Sequence, residues 1–181
     1  KAGTSFVSIT QSFNTTTSMG RLTLNMLLSF AQFEREVTAE RIRDKIAASK
    51  AKGMWMGGTP PLGYRPDERS LAIAEEHADI VRMLFTRYLD IGNVRLLADA
   101  LGAKGIHVPL RHTAGGRQFG DGAFTRGQIY AILSNPIYIG RIRHRDVEHD
   151  GKHPAIVAMD LWDAVQARLA DNRQGQRRIE A

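Results

Sequence analysis

The sequence contains no cysteine among its 181 residues. This excludes disulfides, thiol nucleophiles and zinc sites built on thiolates. It also contains no run approaching the ~20 apolar residues that cross a bilayer, so we expect no membrane-spanning segment. The chain starts at Lys1 rather than at methionine, and no charged and then apolar leader follows. We therefore interpret it as a piece of a larger protein.

Common catalytic motifs are missing as well. There is no Gly-x-Ser-x-Gly nucleophile elbow, and the Gly57-Gly58 pair lacks the Gly-Lys-Ser/Thr ending of a phosphate-binding loop. His144, His149 and His153 are close in sequence, but no carboxylate joins them at a known metal-ligand spacing. The residues alone therefore predict no metal and no cofactor, and they give no ground for a catalytic residue.

Positive charge is plentiful and segregated. The net charge is +6, from 25 Lys and Arg against 19 Asp and Glu. Residues 41–52 hold five basic side chains against Asp44 alone, and residues 111–145 hold six arginines against Asp121 alone. Segregated basic segments favour a polyanion partner, because bound cations release counterions from phosphates. Composition alone leaves an ordinary solvated surface equally open.

A long helix is predicted over residues 19–52, which contain no proline. At 1.5 Å per residue it would be roughly 50 Å long. A short strand at 5–9 and a polar run with N-cap oxygens at 14–18 precede it, and Gly53 is a natural stop. Basic residues dominate its second half. Its first half carries an apolar stripe, to be buried against a domain or a twin helix, made of Leu22, Met26, Phe30, Phe33 and Val37.

A second, helical unit is predicted after a linker at residues 53–70, where repeated Gly and Pro argue against helix and sheet. The glycine-rich stretch at 107–123 predicts a surface loop. A hairpin is predicted from 137–148 and 153–157, turning at 150–151. Helical periodicity predicts four helices, at 75–90, at 93–105, from Thr125 to the Asn135-Pro136 break, and at 159–172.

The fourth helix of this scheme is a candidate nucleic-acid reader, since helix, connection and short capped helix resemble a helix-turn-helix with a long loop. Thr125 begins a capping box, which would place Arg126, Tyr130 and Ser134 on one outer face. Arg126 in the first turn opposes the helix dipole unless a phosphate or base acceptor lies beside it.

Basic residues also alternate on the predicted hairpin. Arg141, Arg143 and Arg145 would place three guanidinium groups on one face of a strand, which would attract phosphate. The alternative is an exposed basic strand that deters edge-to-edge pairing.

Four segments, in order along the chain, resemble a known family. Residues 31–36 (Ala-Gln-Phe-Glu-Arg-Glu), followed by Glu40-Arg41, resemble the C-terminal part of a serine recombinase catalytic domain, as in resolvases, DNA invertases and phage integrases. Residues 52–64 are similar to the linker that opens the recombinase domain of large serine recombinases. Residues 132–140 are similar to the closing motif of that domain, and 153–157 resemble the start of its zinc-ribbon domain.

The resemblance implies the DNA-binding part of a site-specific serine recombinase, an enzyme that cuts and rejoins DNA through a phosphoserine link. It implies that the nucleophilic serine lies upstream of this chain, which would be inactive alone, and that double-stranded DNA is the partner. The parent would form a homodimer or tetramer through the long helix, using the apolar stripe, and would act in the cytoplasm, encoded by a bacterial cell or by a phage. No metal is expected, since the zinc-ribbon cysteines are absent.

The resemblance also divides the chain and selects its DNA-binding residues. The expected segments are a catalytic-domain remnant with the long helix at 1–52, the linker at 53–70, the recombinase domain at 71–157 and the start of the next domain at 158–181. The fold class is then mainly α with a small β-hairpin: a long projecting helix followed by a helix-turn-helix-like helical domain. The expected DNA contacts are Arg35, Arg41, Arg43, Lys45, Lys50, Lys52, Thr125, Arg126, Tyr130, Arg141, Arg143 and Arg145.

Two other functions fit the residues. One is a helix-turn-helix regulator unrelated to recombination, which would pair symmetrically and read a palindrome. The other is a helical protein-interaction module whose long helix forms a coiled coil. Against the second, the stripe stops at Val37, short of several sustained heptads.

Overall fold

The structure, a computed structural model, describes residues 17–113 and 115–179, with side chains up to residue 172. The strand expected at 5–9 and most of the polar run at 14–18 lie outside the described residues. The chain divides into two compact units, one up to Ala47 and one from Ala48 onward, which we call the first and the second unit.

The long helix is confirmed as α1, Ser18–Ala51, with 34 residues. Its start is capped by Thr17, whose Oγ1 accepts a hydrogen bond from Gly20 N at 3.0 Å. At its other end the N–H groups of Gly53 and Met54 donate to the carbonyls of Lys50 and Ser49. This crossed pair is a Schellman motif, and it requires the left-handed φ of +71° that Gly53 adopts.

The expectation that residues 53–70 hold no sheet is wrong. Strands β1 (Tyr64–Asp67) and β2 (Ser70–Ile73) pair antiparallel across this stretch. Pro66 is tolerated in β1 because a two-stranded ribbon has an open edge on which the missing N–H disrupts no ladder. Trp55 N donates to Arg69 O at 2.7 Å, so the chain leaving α1 is hydrogen-bonded to this hairpin.

The four helices of the second unit are confirmed, three of them with small shifts in their bounds, and the last extends to Ile179 rather than ending at 172. They are α2 (Glu75–Ile91), α3 (Val94–Ala103), α4 (Arg126–Leu133) and α5 (Met159–Ile179). Their ends follow the sequence: Gly92 closes α2 at φ 72°, and the Asn93 side chain caps α3. A short 3-10 helix, Pro136–Ile139, follows α4.

The stretch at 107–123 is not a plain loop. Strands β3 (Arg111–His112) and β4 (Gln118–Phe119) form a short antiparallel pair, and His107 bridges to Ala123. Gly120 makes the return possible, because a Cβ at this position would collide with the carbonyl oxygen of Pro109.

The predicted second hairpin exists, but with a different turn. It consists of β5 (Arg141–His144) and β6 (Val147–Asp150), so the turn falls at 145–146 and not at 150–151. Arg145 adopts the positive φ (54°) that this two-residue turn needs. Gly151 instead returns the chain to the core, with its N–H donating to Gly140 O at 2.7 Å.

One apolar core fills the second unit, centred on α2. Phe85 and Tyr88 are fully buried, and α3, α4 and α5 all pack around this helix or one another. Trp162 and Val165 of α5 belong to the same core. We expected residues 158–181 to begin another domain. Instead α5 packs into the core of the second unit and completes it.

The fold class is mainly helical, with small two-stranded antiparallel sheets. Across the described ranges, no helix combines the length and apolarity needed to cross a bilayer.

Candidate nucleic-acid interface

Helix α4 is held at both ends. Thr125 Oγ1 accepts from Gln128 N at 3.2 Å, and Gln128 Oε1 accepts from Thr125 N at 2.9 Å, which completes the predicted capping box. At the other end Gln166 of α5 donates to Leu133 O at 2.7 Å. The Thr125 hydroxyl, one of the expected DNA contacts, is thus engaged within the cap, where it fixes the direction of α4.

The outer face of α4 is as predicted. Ile129 and Leu133 are fully buried, whereas Arg126, Tyr130 and Ser134 are exposed. The first turn contains no acidic residue, and none of the ion pairs among the described residues involves Arg126. A first-turn cation without a carboxylate, on a helix end that attracts anions, is suited to a phosphate or a base acceptor.

Helices α3 and α4 pack against each other, with β3 and β4 inserted between them in the chain. The connection is therefore a structured hairpin rather than the short turn of a compact helix-turn-helix. The arrangement presents α4 with α3 packed against it.

Arg111 of β3 has a role that the sequence analysis missed. Its Nη1 donates to Pro60 O at 3.0 Å, and its guanidinium lies 4.7 Å from the ring centre of Phe119. Burial lowers the pKa of this guanidinium. The side chain therefore ties the segment before β1 to the β3–β4 hairpin.

The arginines of the β5–β6 hairpin do not all share one face. Arg141 and Arg143 do, but Glu148 lies opposite them, with its carboxylate 3.7 Å from Arg141 Nη1 and 2.8 Å from Arg143 Nη2. Arg145 lies in the turn. The expectation of three like charges is wrong, because the partner strand supplies a carboxylate; exposed pairs of this kind contribute ~0–1 kcal/mol and leave both cations accessible.

The other face of this hairpin carries histidines. His144 and His149 are half-buried there, and the pKa of His144 is lowered by burial and then by the nearby charges of Lys50, Arg145 and His149. The spacing of these histidines in the sequence suggested only metal ligation. Within the part of the chain that the structure describes, no group of three or more His, Asp or Glu side chains is placed to hold a metal.

The basic half of α1 is solvent-accessible. Lys50 is half-buried, and the remaining expected contacts on this helix and just after it are exposed: Arg35, Arg41, Arg43, Lys45 and Lys52. None of them makes an ion pair with a described carboxylate. They are available to a polyanion.

The apolar stripe of α1 is uncovered in the single chain. Val37 is half-buried, and the other four side chains are 54–62% exposed: Leu22, Met26, Phe30 and Phe33. Exposed aromatic and aliphatic side chains in a contiguous row mark an interaction surface more often than a solvated one.

His153 is the one strongly buried titratable histidine of the described residues, at 5% exposure. Its Nε2 donates to Ile137 O at 2.7 Å, and Tyr64 lies edge-on against its ring. Its Nδ1 is buried without a hydrogen-bond partner. Protonating Nδ1 would place a charge in an apolar site, and burial accordingly lowers the pKa of His153.

This burial predicts acid sensitivity. Because the pKa of His153 is lower in the folded chain than its ordinary value of 6.5, the unfolded chain binds the extra proton. The stability that comes from keeping His153 neutral is then fully present above pH ~6.5, and it is lost as the pH falls below that value. Thermal unfolding at stepwise lower pH should show a larger decline for the natural chain than for His153→Gln, which keeps a donor for Ile137 O. Equal declines would contradict the assignment.

Comparison with known proteins identifies the family. Residues 75–172 match the family described as "Recombinase", and residues 1–55 match "Resolvase, N terminal domain". Since the first match covers more than half of the sequence, the chain belongs to the Recombinase family.

Individual relatives agree with this family. The chain is 30% identical over 98 residues to the transposon Tn917 resolvase of Enterococcus faecalis, covering 49% of this chain and 53% of the resolvase. It is 24% identical to a putative DNA recombinase of Bacillus subtilis (strain 168), covering 86% of this chain and 35% of that protein. The chain thus spans about half or less of the curated relatives that it matches.

The fold has a solved counterpart. A structure described as "Crystal Structure of a LSR-DNA Complex" matches 73% of this chain and 38% of its own, with a TM-score of 0.58 and 20% sequence identity. At this identity the match establishes the fold.

Proposed function

We propose that this chain is the DNA-binding part of a site-specific serine recombinase, an enzyme that cuts and rejoins double-stranded DNA through a phosphoserine link. No residue of the chain is given a catalytic role. The observation that carries the proposal is the outer face of α4: a rigidly capped helix presents Arg126 from a first turn that contains no acid. Membership in the Recombinase family supports the same conclusion and does not favour an unrelated regulator.

This proposal has two classes of DNA contact, one that selects the sequence and one that adds affinity. Arg126 and Tyr130 lie side by side on the exposed face of α4 and contact base edges in the major groove. The cations of α1, such as Lys45, contact backbone phosphates, which adds affinity without sequence preference. Arg141 and Arg143, which both pair with Glu148, contribute a further phosphate contact.

Self-association belongs to the same proposal. The exposed stripe of α1 pairs with a second copy of this helix, giving a dimer, and the parent acts as a dimer or tetramer in the cytoplasm of a bacterial cell. The dimer is supported by the row of exposed, large apolar side chains in the first half of α1, which is separate from the basic residues of its second half.

The proposal is tested by comparing Arg126→Ala with Lys45→Ala on a library of DNA duplexes of randomised sequence. Arg126→Ala should cost ~1–3 kcal/mol on the preferred duplexes and relax the preference at one or two base pairs. Lys45→Ala should weaken binding to all duplexes about equally and reduce the slope of log affinity against log salt by about one. Arg87→Ala, on α2 and outside the proposed interface, is the matched control.

Two results would count against this function. One is the absence of salt-dependent binding to any duplex, which would favour a protein-interaction module. The other is a sequence-selective loss in Lys45→Ala together with a uniform loss in Arg126→Ala, which would reverse the two roles.

A further inference from the structure

The β5–β6 hairpin has two chemically different faces. Its register pairs Ile142 with His149 and His144 with Val147. Residues paired directly across two antiparallel strands share a face, so both histidines lie, diagonally opposed, on the face of Ile142. Ile142 is 5% exposed, which makes this the inner face of the hairpin. Both histidines are therefore half-buried along its margin.

The C-terminal end of α1 lies against this hairpin within the second unit. Gly53 O accepts from Lys152 N at 2.9 Å, and a Cβ on Gly53 would collide with Asp150 O. This close backbone contact brings the last turn of α1 against the end of β6, and so against the same hairpin. Lys50 in that turn is near enough to His144 to disfavour its protonation.

No described carboxylate forms an ion pair with Lys50 or Arg145. The carboxylate nearest in the register, Glu148, lies on the opposite face and is engaged by Arg141 and Arg143. Asp146 in the turn and Asp150 at the end of β6 form no ion pair in the described part of the chain. The 3-10 helix packed against β5 contributes only the buried phenol of Tyr138. The cluster thus combines two cations that have no ion-pair partner among the described residues, Lys50 and Arg145, with the imidazoles of His144 and His149.

We propose that Lys50, His144, Arg145 and His149 form a single site for one backbone phosphate of DNA. The inference rests on the proposed function and adds a specific contact to it. A flexible ammonium on α1, a guanidinium at the turn and two imidazoles on one face of the hairpin supply several N–H donors, which suits the oxygens of a phosphate. Helix α1 and the hairpin then hold the DNA backbone jointly.

Occupation of the site has a measurable consequence. In the free chain, burial and the neighbouring cations keep the pKa of His144 below its ordinary value. A bound phosphate reverses the local charge and favours the imidazolium. DNA binding therefore takes up protons, and affinity rises as the pH falls below neutrality, by at most about tenfold per pH unit for each proton taken up.

The first test counts phosphates. Binding of the full chain to a mixed-sequence DNA duplex is measured over a range of salt concentrations for the natural chain, Lys50→Gln, Arg145→Gln and the double variant. Each phosphate neutralised contributes about 0.9 to the slope of log affinity against log salt. One shared phosphate predicts that the double variant loses about one unit of slope. A loss of about two would mean two separate phosphates, and no loss would mean none; both overturn the proposal.

The second test uses protons as the readout. The natural chain should bind the same duplex several-fold more tightly at about pH 5.5 than at about pH 7.5, and the His144→Gln/His149→Gln variant should show a much smaller change. His77→Gln, a histidine on α2, is the matched control and should keep the natural pH dependence. Equal pH dependence in all three chains overturns the proposal.

Failure of this site and failure of the proposed function give different results. If the natural chain binds duplexes with a steep salt dependence while the four substitutions change neither slope nor pH dependence, DNA binding stands and this site is wrong. If the natural chain binds no duplex at low salt, both are wrong.

Discussion

Replacing Trp162 by alanine is expected to lower the free energy of unfolding of the second unit by about 3–5 kcal/mol. The indole is 8% exposed, and its ring centre lies 5.9 Å from that of Phe85, which is fully buried at the centre of the core. Truncation removes the largest apolar side chain of α5 and leaves a cavity against α2. Urea unfolding followed by far-UV circular dichroism measures the change, since it does not depend on tryptophan emission.

Met159→Ala is the control on the same helix. Met159 is 44% exposed, so its truncation should cost less than ~1 kcal/mol. A similarly small cost for Trp162→Ala would mean that α5 is dispensable to this core. It would return residues 158–181 to the following domain that the sequence analysis expected.

The helices could be predicted because their signals are local. Asn93 caps α3, Thr125 and Gln128 form the box that starts α4, and Gly92 and Gly53 take the left-handed conformations that end α2 and α1. Each signal acts within about one turn of its own helix and needs no knowledge of the rest of the fold. The exposed face of α4 followed directly from these bounds.

The hairpins were harder because their pairing is set by contacts outside the strands. Pro66 in the sequence argues against a strand, yet it is tolerated in a strand with an open edge. The Asp150-Gly151 pair has the composition of a hairpin turn, yet the Gly151 N–H is hydrogen-bonded to Gly140 O. The turn lies instead at Arg145, which adopts the left-handed conformation. Turn propensity could not choose between these two sites, since the difference lies in backbone bonds to distant residues.

The same limit applied to the electrostatics of the candidate interface. Alternation placed Arg141 and Arg143 together, but only the strand register places Glu148 between them. Likewise, the proximity of Lys50 to His144 arises from Gly53 packing against the end of β6, more than ninety residues later in the chain. Sequence identified the charges, and tertiary pairing decides which are neutralised.

The proposed dimer predicts a large effect on self-association. Changing Phe30 and Phe33 together to glutamate should raise the dissociation constant of the dimer at least ~30-fold, because truncating or charging a central aromatic contact typically costs 2 kcal/mol or more. Both rings are more than 60% exposed in the single chain, so they are free to bury area against a second copy. Analytical ultracentrifugation over a range of chain concentrations measures the constant.

Thr38→Glu is the matched control, since at 100° per residue it lies about 120° around α1 from the centre of the stripe. It adds one negative charge, where the phenylalanine variant adds two, at an exposed position flanked by Arg35 and Arg41, one turn away on either side. We expect it to leave the dimer intact. A natural chain that stays monomeric at every concentration, or a phenylalanine variant that associates as tightly as the natural chain, would assign the stripe to some other contact. A dimer lost in the phenylalanine variant and kept in Thr38→Glu would place the seam on the face of Leu22, Met26 and Val37, since a negative charge on another face of the same helix would then leave association intact.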